Sequence, residues 1–199
     1  MAQRAPVQEE RRQQILGAAA RVFARRGFHA TRVGDIAKEA GVAYGLVYHY
    51  FQSKDEVLET IFRVTWTHML ARIHEVEQSG EPAREQIRRV AALVLRSWIR
   101  DPDVVRVLVH EIARSPHIQE EVDEIRLAFD ALERIVRDGQ ARGELRDDVD
   151  ARVAAYIFYG SLEEILTGWV MGGLPGKDED VARAERAVSA VLTRGLLTD

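Results

Sequence analysis

Residues 31–54, TRVGDIAKEAGVAYGLVYHYFQSK, restrict the fold more than any other stretch of this chain. Val33, Ile36, Ala37 and Ala40 fall at i, i+3, i+4 and i+7, the apolar stripe of a short helix. Gly41 follows at the position where a helix stop requires a left-handed backbone. Val42, Leu46 and Val47 then supply one side of a second short helix, which also carries Tyr44, Tyr48, His49 and Tyr50. Two short helices around a glycine corner form a helix-turn-helix, whose second helix enters the DNA major groove. A plain αα-corner shares the periodicity. The surplus of polar-tipped aromatics favours the DNA reading.

Charge supports it. The whole chain is acidic, at −4. Residues 1–54, however, carry nine Lys and Arg against four Asp and Glu, a net of +5. Residues 55–199 carry nineteen against twenty-eight, a net of −9. A basic head on an acidic body confines phosphate attraction to one end. There are no cysteines, so disulfides and thiolate metal sites are excluded. No apolar run of 18 residues exists and the N-terminus lacks the apolar stretch of a signal peptide, so no membrane partner and a cytoplasmic location are expected.

With five prolines and no alternating run, the chain reads as all-α, about nine helices. The expected division is a three-helix head, residues 1–54, and a helical ligand-binding and dimerisation bundle, residues 55–199. The first helix is placed at 9–26, with Gly17 inside it as a cost of roughly 1 kcal/mol relative to Ala. Ser53-Lys54-Asp55-Glu56 is a capping box that opens a long helix to about residue 78. Further helices are expected at 83–100, 103–114, from the Ser115-Pro116 break to 142, at 150–171 and at 178–196. The helix at 150–171 has two apolar stripes. One contains Val153, Ile157, Gly160 and Gly168; the other contains Ala155, Phe158, Tyr159, Leu162, Leu166, Trp169 and Val170. A helix apolar on nearly every side is buried on nearly every side. It meets a second copy of the chain or lies at the centre of the monomer's own core.

The string from Gly41 through Tyr44, Tyr48, His49 and Lys54 to Leu58 closely resembles the DNA-binding domain of TetR-type transcriptional regulators. Ile15-Leu16, Ala18-Ala19, Phe23, Gly27-Phe28 and Thr31 match the same family. The resemblance implies a homodimer, paired through its last two helices as a four-helix bundle, that binds a double-stranded, palindromic DNA operator. For that pairing the second stripe is the candidate, with Tyr159, Leu162, Leu166 and Trp169. In the head, Thr31 is expected at the N-cap of the second helix, where its hydroxyl and free N–H groups meet a phosphate. Ala43, Tyr44 and Gly45 open the recognition helix toward base edges. Tyr48, His49 and Lys54 are expected on phosphates, and Tyr50 and Phe51 in the core. Ala43, Gly34 and Tyr44 depart from residues common in the family, so the operator sequence stays open.

Residues 154–159 and 160–171 are similar to acyl-CoA-responsive regulators of fatty-acid degradation. That similarity implies an effector, a long-chain acyl-CoA, that releases a repressor from DNA, and no cofactor. Trp66, Met69, Trp98, Val109, Phe129 and Tyr156 are candidates to line an apolar tunnel, and Arg96, Arg100 and Arg106 to meet phosphates. Alternative effectors are a drug, a signal molecule or an aromatic acyl-CoA. A helical dimer acting on protein partners is a further alternative. An enzyme is not expected. Adjacent Glu163 and Glu164 point about 100° apart on a helix and cannot pair as acid and base. His68 and His74 face different sides, His110 and His117 have a helix break between them, and no HExxH, P-loop or GxSxG motif occurs.

Overall fold

The turn at Gly41 shows how this chain is assembled. Its φ of 65° is left-handed, and its N–H and that of Val42 donate to the carbonyls of Lys38 and Ala37. That ends α2 (Val33–Ala40) and frees the chain to start α3 (Tyr44–Tyr50) at an angle to it. The computed structural model describes residues 4–112 and 123–196. Before this pair lies α1 (Arg4–Arg26), which starts five residues earlier than its periodicity suggests. After it, α4 (Lys54–Glu77) begins at the capping box. Ser53 Oγ accepts from the Glu56 N–H at 3.1 Å, and the Glu56 carboxylate accepts from the Gln52 N–H at 2.6 Å, one residue before the cap.

The expected helix at 83–100 is two: α5 (Ala83–Leu95) and α6 (Ser97–Arg100). The Ser97 hydroxyl donates to the Val94 carbonyl at 2.6 Å, a local bond that competes with the helical ladder. Then come α7 (Pro102–Ile112), α8 (Asp123–Ala141), α9 (Ala151–Val170) and α10 (Asp178–Leu196). The expected break at Ser115-Pro116 lies outside the described residues. Among the described residues there is no β-strand, and no helix is long and apolar enough to cross a membrane.

α1 packs on both α2 and α7, so it belongs to the head and reaches into the body. α4 leaves the head and runs along α8, with α5 beside it; α9 packs against α8 and α7, and α10 against α5. One continuous core joins Ile15, Phe23, Ile36 and Phe51 of the head to Phe62, Leu95, Ile135 and Leu162 of the body. Phe51 is in this core, as expected, and Tyr50 packs against it. Buried Gln86 closes the C-terminus of α4 by donating to the Val76 and Glu77 carbonyls at 3.0 and 2.9 Å.

Candidate nucleic-acid interface and effector cavity

In the head, α1 holds α2 with ion pairs. Arg21 and Arg25 both reach Glu39, at 2.8 and 2.6 Å, and Arg26 reaches Asp35 at 2.8 Å. The hydrogen bonds from Arg25 and then Arg21 hold the Glu39 carboxyl below the usual range. For Asp35 the Arg32 backbone N–H is the largest cause, with Arg26 adding to it. The position of α3 is thereby set, and it presents Ala43, Tyr44, Gly45, Tyr48 and His49 to solvent. Ala43 is its N-cap. Tyr44 and Tyr48 meet edge to face at 5.2 Å, with the Tyr44 hydroxyl donating to that of Tyr48 at 3.2 Å. Tyr44 also lies over Gly34, its ring 3.8 Å from where a Cβ would be, an ordinary contact distance.

Two expected contacts stand elsewhere. Thr31 is only 2% exposed, and its hydroxyl donates to the Gly27 carbonyl at 2.8 Å; the N-cap of α2 is Arg32. Its hydroxyl is committed to the loop and is shielded from a phosphate. Lys54 Nζ donates to the carbonyls of Phe28, His29 and Thr31 at 2.8, 3.3 and 3.1 Å, and lies 4.4 Å from the centre of the Phe28 ring. It is a clasp on the loop before α2, with its three donors already used.

In the body, α1, α4, α5, α7, α8 and α9 surround a cavity of about 460 Å3. Of the candidates for an apolar lining, Trp66, Met69, Val109 and Phe129 border it, and so does Arg100, a candidate for phosphates. So do Tyr159, Leu162 and Leu166, expected at a dimer interface, and Leu16, Gly17 and Ala20 of α1. The α1 residues were missed as lining. The signal for them was Gly17 itself: together with Ala20 it lines a face of α1 with little side-chain bulk, which a core contact alone does not need. Exposed Gln13, His68, Arg72, Arg100 and Asp101 form the rim. Inside, Glu163 is half-buried, and its carboxyl is pushed up by burial, with Glu164 adding to it. Tyr159 is pushed up strongly by burial and by the Glu163 charge. Among the described residues, the buried Trp66 Nε1 has no hydrogen-bond partner.

The remaining candidates do other work. Trp98 donates from Nε1 to the Gly176 carbonyl at 2.8 Å and packs on Trp169, ring centres 6.2 Å apart. A Cβ on Gly176 would sit 2.7 Å from Trp98 Nε1, so only glycine allows this close approach. Arg106 stacks over Trp98 at 5.1 Å and pairs with Asp103 at 3.2 Å. Arg96 forms a forked pair with Glu185 at 2.6 and 3.0 Å, tying α5 to α10. Tyr156 is exposed and lines an outer groove, where it stacks on Phe129.

The expected dimer stripe also needs correction. Leu162 is fully buried and Trp169 is 5% exposed within a single chain, and Tyr159 and Leu166 face the cavity. Leu162 and Trp169 are thus covered within one chain, and Tyr159 and Leu166 are partly buried. The stripe that points outward is the other one: Val153 is 53% and Ile157 56% exposed, and Gly160 is exposed beside them. Periodicity alone shows two stripes; the bulkier one buries more apolar area and so turns to the monomer's own core.

A glycine-cornered helix pair with exposed aromatics, on a helical body that encloses an apolar cavity, defines a DNA-binding regulator with a ligand-accepting domain. Residues 15–61 match the bacterial regulatory proteins of the tetR family, and residues 80–193 match the tetracyclin repressor-like C-terminal domain. The chain belongs to the tetR family and is a transcriptional regulator, not an enzyme. It is 28% identical over 185 residues to the fatty acid metabolism regulator protein of Bacillus subtilis (strain 168), covering 92% of this chain and 94% of that one. It is 32% identical over 156 residues to the HTH-type transcriptional repressor KstR2 of Rhodococcus jostii (strain RHA1), covering 72% of each. Its fold matches that of the transcriptional regulator FadR from Bacillus subtilis in complex with stearoyl-CoA, with a TM-score of 0.82 and 27% identity, over 92% of this chain and 98% of that one.

Proposed function

We propose that this chain is a repressor that binds a palindromic operator as a homodimer in the cytoplasm and is released by a long-chain acyl-CoA held in the body. The cavity carries this reading. A space of about 150 Å3 takes one benzene, so ~25 Å3 serves each carbon, and about 460 Å3 takes roughly 18 carbons. Its walls are mostly apolar, and Arg72 and Arg100 at the rim offer positive charge to phosphates. That one relative is a fatty acid metabolism regulator, and that a solved neighbour holds stearoyl-CoA, supports the choice.

Release works through α4. Its middle lines the cavity with Ile61, Trp66 and Met69, and its first residue, Lys54, clasps the loop that precedes α2. Ligand that favours a different tilt of α4 moves the two heads away from the ~34 Å spacing of successive major grooves. The ligand must bind the DNA-incompetent form more tightly, because equal affinity for both forms shifts nothing. No cofactor takes part.

One observation favours a second reading. Glu163 places a half-buried carboxyl on the wall of a mostly apolar chamber, which suits a hydrophobic effector bearing a hydroxyl or amine better than a bare chain. Fluorescence anisotropy on DNA from upstream of the chain's own gene, titrated with stearoyl-CoA and with free CoA, separates the two. Release by stearoyl-CoA and not by CoA supports the acyl-CoA. Tight DNA binding that ignores both rejects it and leaves the hydroxylated or amine-bearing ligand.

A further inference from the structure

The body cavity has a neighbour. An outer groove of about 400 Å3 lies between α8 and α9, lined by Arg126, Arg152 and Tyr156 among others. The two spaces share Trp66, Phe129, Tyr159 and Glu163, so these four side chains form the wall between them. Three of the four are aromatic and in contact. Phe129 meets Tyr159 edge-on at 4.7 Å, and Tyr159 tilts against Trp66 at 6.0 Å. On the groove side Phe129 stacks on Tyr156 at 4.6 Å and 27°.

We propose that Phe129 is the specificity-determining residue of the body cavity, setting the longest apolar chain that the cavity accepts. The inference rests on the reading of the cavity as an effector site. Trp66 is buried on α4, and Tyr159 on α9 is in contact with both Trp66 and Phe129. Phe129 is half-buried, and its outer neighbour, Tyr156, is exposed. Phe129 is therefore the aromatic of the wall that is backed, on the groove side, by an exposed ring. With the ring in place, a chain ends at the wall. Without it, the inner cavity opens into the groove, where Ile125, Ala155 and Tyr156 among charged neighbours give a longer chain further apolar contact.

The test uses calorimetry on the full chain and its Phe129→Ala and Phe129→Trp variants, with two homologous series, saturated acyl-CoAs and n-alkan-1-ols. In the native protein affinity rises by about fourfold for each added methylene until the cavity is full, and then stops rising. The break moves to longer chains in Phe129→Ala and to shorter chains in Phe129→Trp, while DNA binding without ligand persists. Opposite shifts from two substitutions do not arise from a general packing defect, and either variant alone keeps the test if the other fails to fold. A break at the same length in the native protein and the variants overturns the proposal and spares the acyl-CoA reading. A break that moves with residue 129 for the alcohols, with no binding of acyl-CoA, supports the wall and rejects acyl-CoA. Binding of neither series to the native protein overturns both.

Discussion

Lys54 illustrates how a residue's chemistry and its place can disagree. A lysine at the start of α4, close to the recognition helix, is a natural phosphate contact, and the resemblance to relatives assigned it that role. In the folded chain its ammonium satisfies three loop carbonyls and lies over the Phe28 ring. These are charge-assisted bonds in a partly buried place. Lys54→Met keeps the stem and removes the bonds, which costs about 2 kcal/mol of stability, read as a lower melting temperature. The salt slope of operator binding separates the two roles. A lost phosphate contact lowers it by about one; a lost clasp weakens binding and leaves the slope unchanged. We expect the slope to stay. Thr31 follows the same logic, because its hydroxyl is committed to Gly27.

Among the elements, the pairing of α1 with α2 gives the head its pH response. Glu39 and Asp35 sit below their ordinary values because arginines and a backbone N–H favour their charged forms. A carboxylate depressed in the folded state contributes stability above its unfolded pKa and loses it as pH falls through the folded one. The head should therefore weaken below about pH 4, where unfolded carboxylates gain protons. Thermal melts of the native protein and Glu39→Gln should differ near pH 7 and converge at pH 2 to 3; parallel curves over the whole range would remove the ion pairs from this account. Most of these elements were legible in the chain. Gly41, the Ser53 box and the apolar stripe of α2 are local signals, and local hydrogen bonds realise them. The split at Arg96 was missed because a serine hydroxyl bonding back to Val94 leaves no periodic trace.

For the molecule as a whole, the exposed stripe of α9 has the largest consequence. Val153 and Ile157 stand in water in a single chain, against a family that reads two half-sites. Ile157→Glu puts a charge into that face and should convert the dimer to a monomer in sedimentation velocity, since an unpaired charge is costly to bury. Operator affinity should drop with it. A dimer that survives Ile157→Glu would move the interface off α9.

What the amino-acid order determined by itself is the helical class, the glycine corner, the capped start of α4 and the basic head. Each depends on residues within a few positions of one another, where backbone geometry and charge act directly. Tertiary structure alone decided which of two apolar stripes on α9 faces inward. It alone turned Lys54 and Arg96 to carbonyls and to Glu185. Those outcomes rest on partners 23 to 89 positions away. A helix's own periodicity says that a side must be covered, and only the assembled neighbours say by what.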